Sequence, residues 1–113
     1  MEHARLVDAM EALVRDLQDR IVAALEAAEG AGRFARDEWQ RPGGGGGITR
    51  VLAEGERIEK AGVNVSRVHG AVPPRMAARL PGDGDTFAAV GLSLVIHPRN
   101  PWAPTTHANV RLL

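Results

Sequence analysis

His107, Asn109 and Arg111 stand two residues apart near the carboxyl end. In an extended strand that spacing puts all three on one face and Ala108, Val110 and Leu112 on the other. The chemistry of the set is specific: a guanidinium grips a carboxylate through two parallel hydrogen bonds, an imidazole exchanges protons near neutral pH, and an amide orients polar groups. The run 86–97 alternates in the same way. Thr86, Ala88, Val90, Leu92, Leu94 and Ile96 form one face, and Phe87, Ala89, Gly91, Ser93, Val95 and His97 the other. If Pro98–Thr106 turns the chain back as a hairpin, Ser93, His97, His107, Asn109 and Arg111 share a surface, which is the candidate site. Ser93 and His97 lie roughly 13 Å apart along a strand, too far for a nucleophile and its base, which argues against a serine hydrolase. His97 and His107 could share a metal only with their rings at a common ion, and such a site ordinarily needs a third protein ligand.

Composition narrows the partners. The chain has 113 residues, enough for a single domain with a modest core. Fourteen basic residues balance fourteen acidic ones and the pI is near 6.9, so nucleic-acid backbones and anionic membranes are not expected partners. The absence of cysteine excludes disulfides, zinc ribbons, Cys-ligated clusters and a Cys nucleophile. No apolar run is long enough to span a bilayer, and Met1 is not followed by a basic end and greasy stretch. A soluble, cytoplasmic protein is the expectation.

The elements that must position the candidate site divide at Gly30. From residue 2 to 29, Leu6, Met10, Leu13, Val14, Leu17, Ile21, Leu25 and Ala28 recur at helical spacing, which predicts one amphipathic helix ended by Gly30. Its polar face carries Glu11 with Arg15 and Asp16 with Arg20, read as solvated pairs. Beyond it, Gly and Pro punctuate short stretches that predict antiparallel strands at 33–41, 47–54, 57–68, 86–97 and 107–113. Residues 74–80 are expected to form a short helix and 81–84 an exposed loop. The fold class is therefore α+β, one partial domain over residues 1–113. The last strand runs to Leu113 without a stop signal, an edge expected to associate or to mark a truncated chain.

Other features are less directive. Gly43–Gly47 lacks the following Lys-Ser or Lys-Thr of a phosphate-binding P-loop. A flexible tether and a loop letting backbone approach a ligand both remain open for it. Asn64 and Ser66 share a strand face, read as exposed sheet. His3 and His69 have no organised neighbours and are expected at the surface, and Glu59-Lys60 has no role from spacing.

The wording of three separated blocks then becomes specific. Gly43–Gly47 with Arg50-Val51, Glu59–Asn64 with Ser66, and Ser93–Pro101 followed by Ala103-Pro104-Thr105, His107, Asn109 and Arg111 together resemble oxygen-dependent coproporphyrinogen III oxidase. Trp39-Gln40-Arg41 also falls where that family has it. The resemblance implies a flat antiparallel sheet flanked by helices, a homodimer, and a cytoplasmic role in haem biosynthesis. It implies oxidative decarboxylation of coproporphyrinogen III to protoporphyrinogen IX with molecular oxygen as co-substrate. Carried onto matching positions, it makes His107 the catalytic proton donor, Ser93, Asn109, Val110 and Arg111 substrate-binding, and His97 and His107 ligands of a divalent metal.

Ile58, Val65 and Leu113 stand where that family usually has Phe, and Trp102 where it more often has Tyr or His, while the polar set is intact. The resemblance covers about the N-terminal third of the family pattern, so this chain alone is expected to be inactive. The oxygen-independent route to the same product needs a cysteine-ligated cluster and is excluded. The competing readings are a non-catalytic relative that binds a tetrapyrrole or metal, and a small His-dependent metalloenzyme.

Overall fold

The computed structural model describes residues 2–72 and 86–113. Helix α1 (Glu2–Glu29) is followed by β1 (Ala35–Gln40), β2 (Gly45–Ala53), β3 (Ile58–Ala71), β4 (Thr86–Pro98) and β5 (Thr106–Leu112). All neighbouring strands pair antiparallel in the order β1-β2-β3-β4-β5, the arrangement that short connections favour. The α+β expectation holds, and the helix has the expected bounds. The short helix expected at 74–80 and the loop at 81–84 lie outside the described residues. No helix among the described residues is long and apolar enough to cross a membrane.

α1 lies across β3 and β4 and covers one face of the sheet. Val7, Val14 and Val22 are buried against Leu52, Ile58, Ala61, Val63, Val65, Val90 and Leu92, with Met10, Leu17, Ile21 and Leu25 alongside. The buried stripe is rotated from the expected one: Leu6 and Leu13 are more than half exposed, and Ala28 is exposed. The cause is that two polar residues belong to the buried stripe. Gln18 is buried and its Nε2 donates to the carbonyls of Ile48 (2.8 Å) and Val63 (2.9 Å), tying the helix to β2 and β3 at once.

Glu29 makes the second tie. Its carboxylate is fully buried and accepts backbone N–H bonds from Gly32 (2.6 Å), Arg57 (2.6 Å) and Ile58 (2.9 Å). The helix end thus clasps the β2–β3 turn. Gly55 in that turn is needed for space, since a Cβ there would meet the Glu29 carboxylate. Gly30 ends the helix as expected, at φ 100°, with its N–H donating to the Glu26 carbonyl.

Two expectations about charge and glycine change. Arg67 on β3 reaches Asp8 (2.8 Å) and Glu11 (2.6 Å), so part of the supposedly solvated helix face is bound to the sheet. The glycine run is not a flexible tether, and its residues Gly44 to Gly47 line a groove beside α1. Gly45, Gly46 and Gly47 are strand residues in β2, and a Cβ on Gly47 would strike the Trp39 ring. Gly44 and Gly45 have φ of 129° and 87° and close the β1–β2 turn, where L side chains are strained.

These two ties generate two stability predictions. Gln18→Ala removes the paired hydrogen bonds and leaves a void, and should cost about 2–4 kcal/mol in urea unfolding. The hydrogen bond from Ile58 N–H, with those from Gly32 and Arg57, lowers the Glu29 pKa from 4.5 to about 2 against the opposing effect of burial. A depressed carboxyl stabilises the fold fully above its unfolded pKa and loses that contribution as pH falls through the folded value. Glu29→Gln should therefore melt lower than the parent at pH 7, with the difference narrowing between pH 4.5 and 2.

Candidate functional site

The face of the sheet turned away from α1 is built in rows across the strands. Asp37 pairs with Thr49, Thr49 with Asn64, Asn64 with Ser93, and Ser93 with Asn109, so five polar residues from five strands form one line. On one side of that line run Gly47, Ser66, Gly91 and Arg111; on the other, Val51, Gly62, Val95 and His107. Period-two alternation in every strand sends these side chains to the same face. The opposite set, including Ile48, Val63, Val65, Leu92 and Leu94, faces the helix and forms or adjoins the core.

The β4–β5 hairpin thus brings Ser93, His107, Asn109 and Arg111 together, as the alternation predicts. His97 is on the same face at its outer end, directly paired with Lys60. Val110 is different: it pairs with Leu92 on the helix side and is about half exposed, so its side chain does not share this surface. The β4–β5 turn is shaped by Asn100, whose Oδ1 accepts from Trp102 N–H (2.9 Å), and is tied to the β2–β3 turn by Arg99 N–H donating to the Arg57 carbonyl (2.9 Å).

Small residues leave room between the polar ones. A depression of about 160 Å³ is lined by Thr49, Gly62, Asn64, Ser93, Val95 and His107. A shallower one of about 20 Å³ is lined by Asn64, Ser66, Gly91, Ser93, Asn109 and Arg111. They share Asn64 and Ser93 and so adjoin each other across the strands. A larger groove of about 1040 Å³ lies between α1 and the β1–β2 hairpin. Its cations are already engaged, Arg67 by Asp8 and Glu11, Arg15 by Glu11 and Arg41 by the His69 carbonyl, so the open face has the stronger claim to ligand chemistry.

Sequence reasoning missed Trp39 and Thr49 and set Asn64 aside. The Trp39 indole N–H donates to Thr49 Oγ1 (2.9 Å), and the Thr49 hydroxyl donates to Asn64 Oδ1 (2.7 Å). The signal that finds them is hairpin register, because only the β2–β3 and β3–β4 pairings place Thr49 and Asn64 in the row of Ser93 and Asn109.

A metal fits this face poorly. His97 and His107 are on adjacent strands but are not register partners, and the residue paired with His97 is the cationic Lys60. Among the described residues no group of three or more His, Cys, Asp or Glu side chains is placed to hold an ion. Two imidazoles beside an ammonium make an incomplete donor set.

Gly91 sets how closely β5 approaches. A Cβ there would come within 2.5 Å of the Val110 carbonyl oxygen and 3.1 Å of Arg111 Cα. Relieving glycine's entropy would gain about 0.5–1 kcal/mol, whereas the overlap costs about 1–3 kcal/mol, so the overlap decides. Gly91→Ala should destabilise the fold and speed amide hydrogen exchange in β5 more than in β3.

A family model described as Coproporphyrinogen III oxidase matches residues 9–113, nearly the whole chain. The chain belongs to this family, the oxygen-dependent type.

Proposed function

We propose that this member of the coproporphyrinogen III oxidase family uses the open sheet face to hold coproporphyrinogen III by its propionate groups. The family's substrate is coproporphyrinogen III, its co-substrate is molecular oxygen, and its place is haem biosynthesis. The observation that carries the reading is the presentation of Arg111, Asn109 and His107 at alternate positions of β5 with Ser93 opposite Asn109. Arg111 grips a propionate carboxylate, Asn109 and Ser93 orient it, and Val110 contributes through its backbone. His107, roughly 13 Å along the strand from Arg111, reaches a different part of the same macrocycle.

The chemistry assigns a proton role to His107. Each propionate that becomes a vinyl group loses carbon dioxide and a hydride equivalent; two hydride equivalents and two protons reduce one dioxygen to two waters. His107 is the proposed donor of those protons, since an imidazolium releases a proton near neutral pH. Dioxygen supplies the oxidising power. A metal held by His97 and His107 gains no support from the donor set.

A second reading has its own observation. β5 is exposed along nearly its whole length, including His107, Asn109 and Arg111. Oxidative decarboxylation benefits from a site that excludes bulk water, and this face among the described residues is open. The isolated chain therefore binds the tetrapyrrole without turning it over. A homodimer in the cytoplasm is the proposed setting, following the family.

Titration with coproporphyrin III, the stable oxidised macrocycle with the same propionates, tests the site through its visible absorbance. Arg111→Ala should weaken binding by about tenfold or more, and Arg111→Lys should restore it only in part. Wild-type affinity in the double variant Arg111→Ala, Asn109→Ala would remove this face as the site. Aerobic incubation of the chain with coproporphyrinogen III should leave the substrate unconverted, and protoporphyrinogen IX in the product would contradict the binding-only reading.

A further inference from the structure

We propose that Asn64 is a specificity-determining residue, an amide N–H donor to a propionate carboxylate, and that Trp39 and Thr49 position it. This deepens the reading above and rests on it. A carboxamide is ordinarily two-faced: one end donates, the other accepts, and rotation exchanges them. The surroundings of Asn64 remove that freedom.

The chain of hydrogen bonds has one direction. An indole N–H can only donate, so Trp39 Nε1 gives its proton to Thr49 Oγ1 at 2.9 Å. Thr49 has a single hydroxyl hydrogen, and it goes to Asn64 Oδ1 at 2.7 Å. The Asn64 oxygen is thereby engaged on the β2 side, and its NH2 group is left for the β4 side, where Ser93 is its register partner. Among the described residues this NH2 makes no hydrogen bond, and Asn64 lines both adjoining depressions. The Trp39 ring cannot easily turn away. It packs over Gly47, where a Cβ would collide with it, and the ring is half-buried.

The sign of the exposed group matters for the ligand. A porphyrinogen presents two kinds of polar atom: pyrrole N–H donors at its centre and carboxylate acceptors at its rim. A fixed NH2 group accepts no hydrogen bond from the centre and donates well to the rim. With Arg111 in the neighbouring row, Asn64 forms a donor pair that selects the rim of the macrocycle over its centre. The carboxylate then bridges β3 and β5 across Ser93.

Coproporphyrin III titration of the full 113-residue chain separates the roles. Asn64→Asp keeps the shape and the acceptor for Thr49 but replaces the donor with an anion, and should weaken binding by about tenfold or more. Thr49→Val frees the amide to rotate and should weaken it by about threefold to tenfold, while Thr49→Ser stays within about twofold of the parent. The Trp39 indole N–H resonance should move in Thr49→Val and hold in Thr49→Ser, a signature that loss of stability alone would not produce. Parental affinity in Asn64→Asp alongside lost binding in Arg111→Ala would overturn the role of Asn64 and leave the site standing. Unchanged affinity in both would remove this face as the site and overturn the role of Asn64 with it, and no binding by the parent chain would overturn the tetrapyrrole reading itself. If Asn64→Asp does not fold, Asn64→Ala and Thr49→Val decide between the same outcomes.

Discussion

A pleated strand has two faces, and a slip of one residue exchanges them. Everything chemical in this protein depends on that constraint being met in four consecutive hairpin pairings. Slip β5 by one position and the guanidinium, amide and imidazole turn toward the helix side while Ala108, Val110 and Leu112 turn outward. The pairing is secured from the far side of the sheet. Gln18 reaches the carbonyls of Ile48 and Val63, and Glu29 clasps the N–H groups of the β2–β3 turn, so α1 sits at one place over the strands. With one face committed to the helix, polar residues are confined to the other.

Buried polar groups are an unusual means of alignment in so small a core. Leu, Val and Ile side chains slide past one another at little cost, because dispersion and burial are nearly indifferent to direction. Hydrogen bonds are directional. A carboxylate met by several backbone N–H groups, with Gly32 and Gly55 clearing its path, defines where the helix ends relative to the sheet. That is why the helix stripe takes in Gln18 and leaves Leu6 and Leu13 in water.

Much of this architecture is legible in the order of residues. Helical spacing over 2–29 and the Gly30 stop locate α1, and strict alternation in 86–97 and 107–113 identifies the face that carries Ser93, His107, Asn109 and Arg111. What resists reading is whatever depends on two elements meeting. The rotation of the helix is set by partners on β2 and β3, which periodicity does not contain. The glycine run reads as flexible by composition, yet Gly45 to Gly47 are strand, and Trp39 needs the space above Gly47. Thr49 and Asn64 each look ordinary alone; they become a relay only through pairings that no single segment encodes. Arg67 likewise binds Asp8 and Glu11 across more than fifty intervening residues.

Among the described residues β5 is held only by β4, and its side chains contribute little to the core. Such a strand opens at a lower free energy than the central ones and does so as a unit. His107, Asn109 and Arg111 would leave together, so on the proposed reading the proton donor and the anion grip are lost in one event, while the amide on β3 stays behind. Apparent affinity is then the intrinsic affinity scaled by the fraction of time the strand is docked, and whatever seals that margin tightens binding without touching the tetrapyrrole.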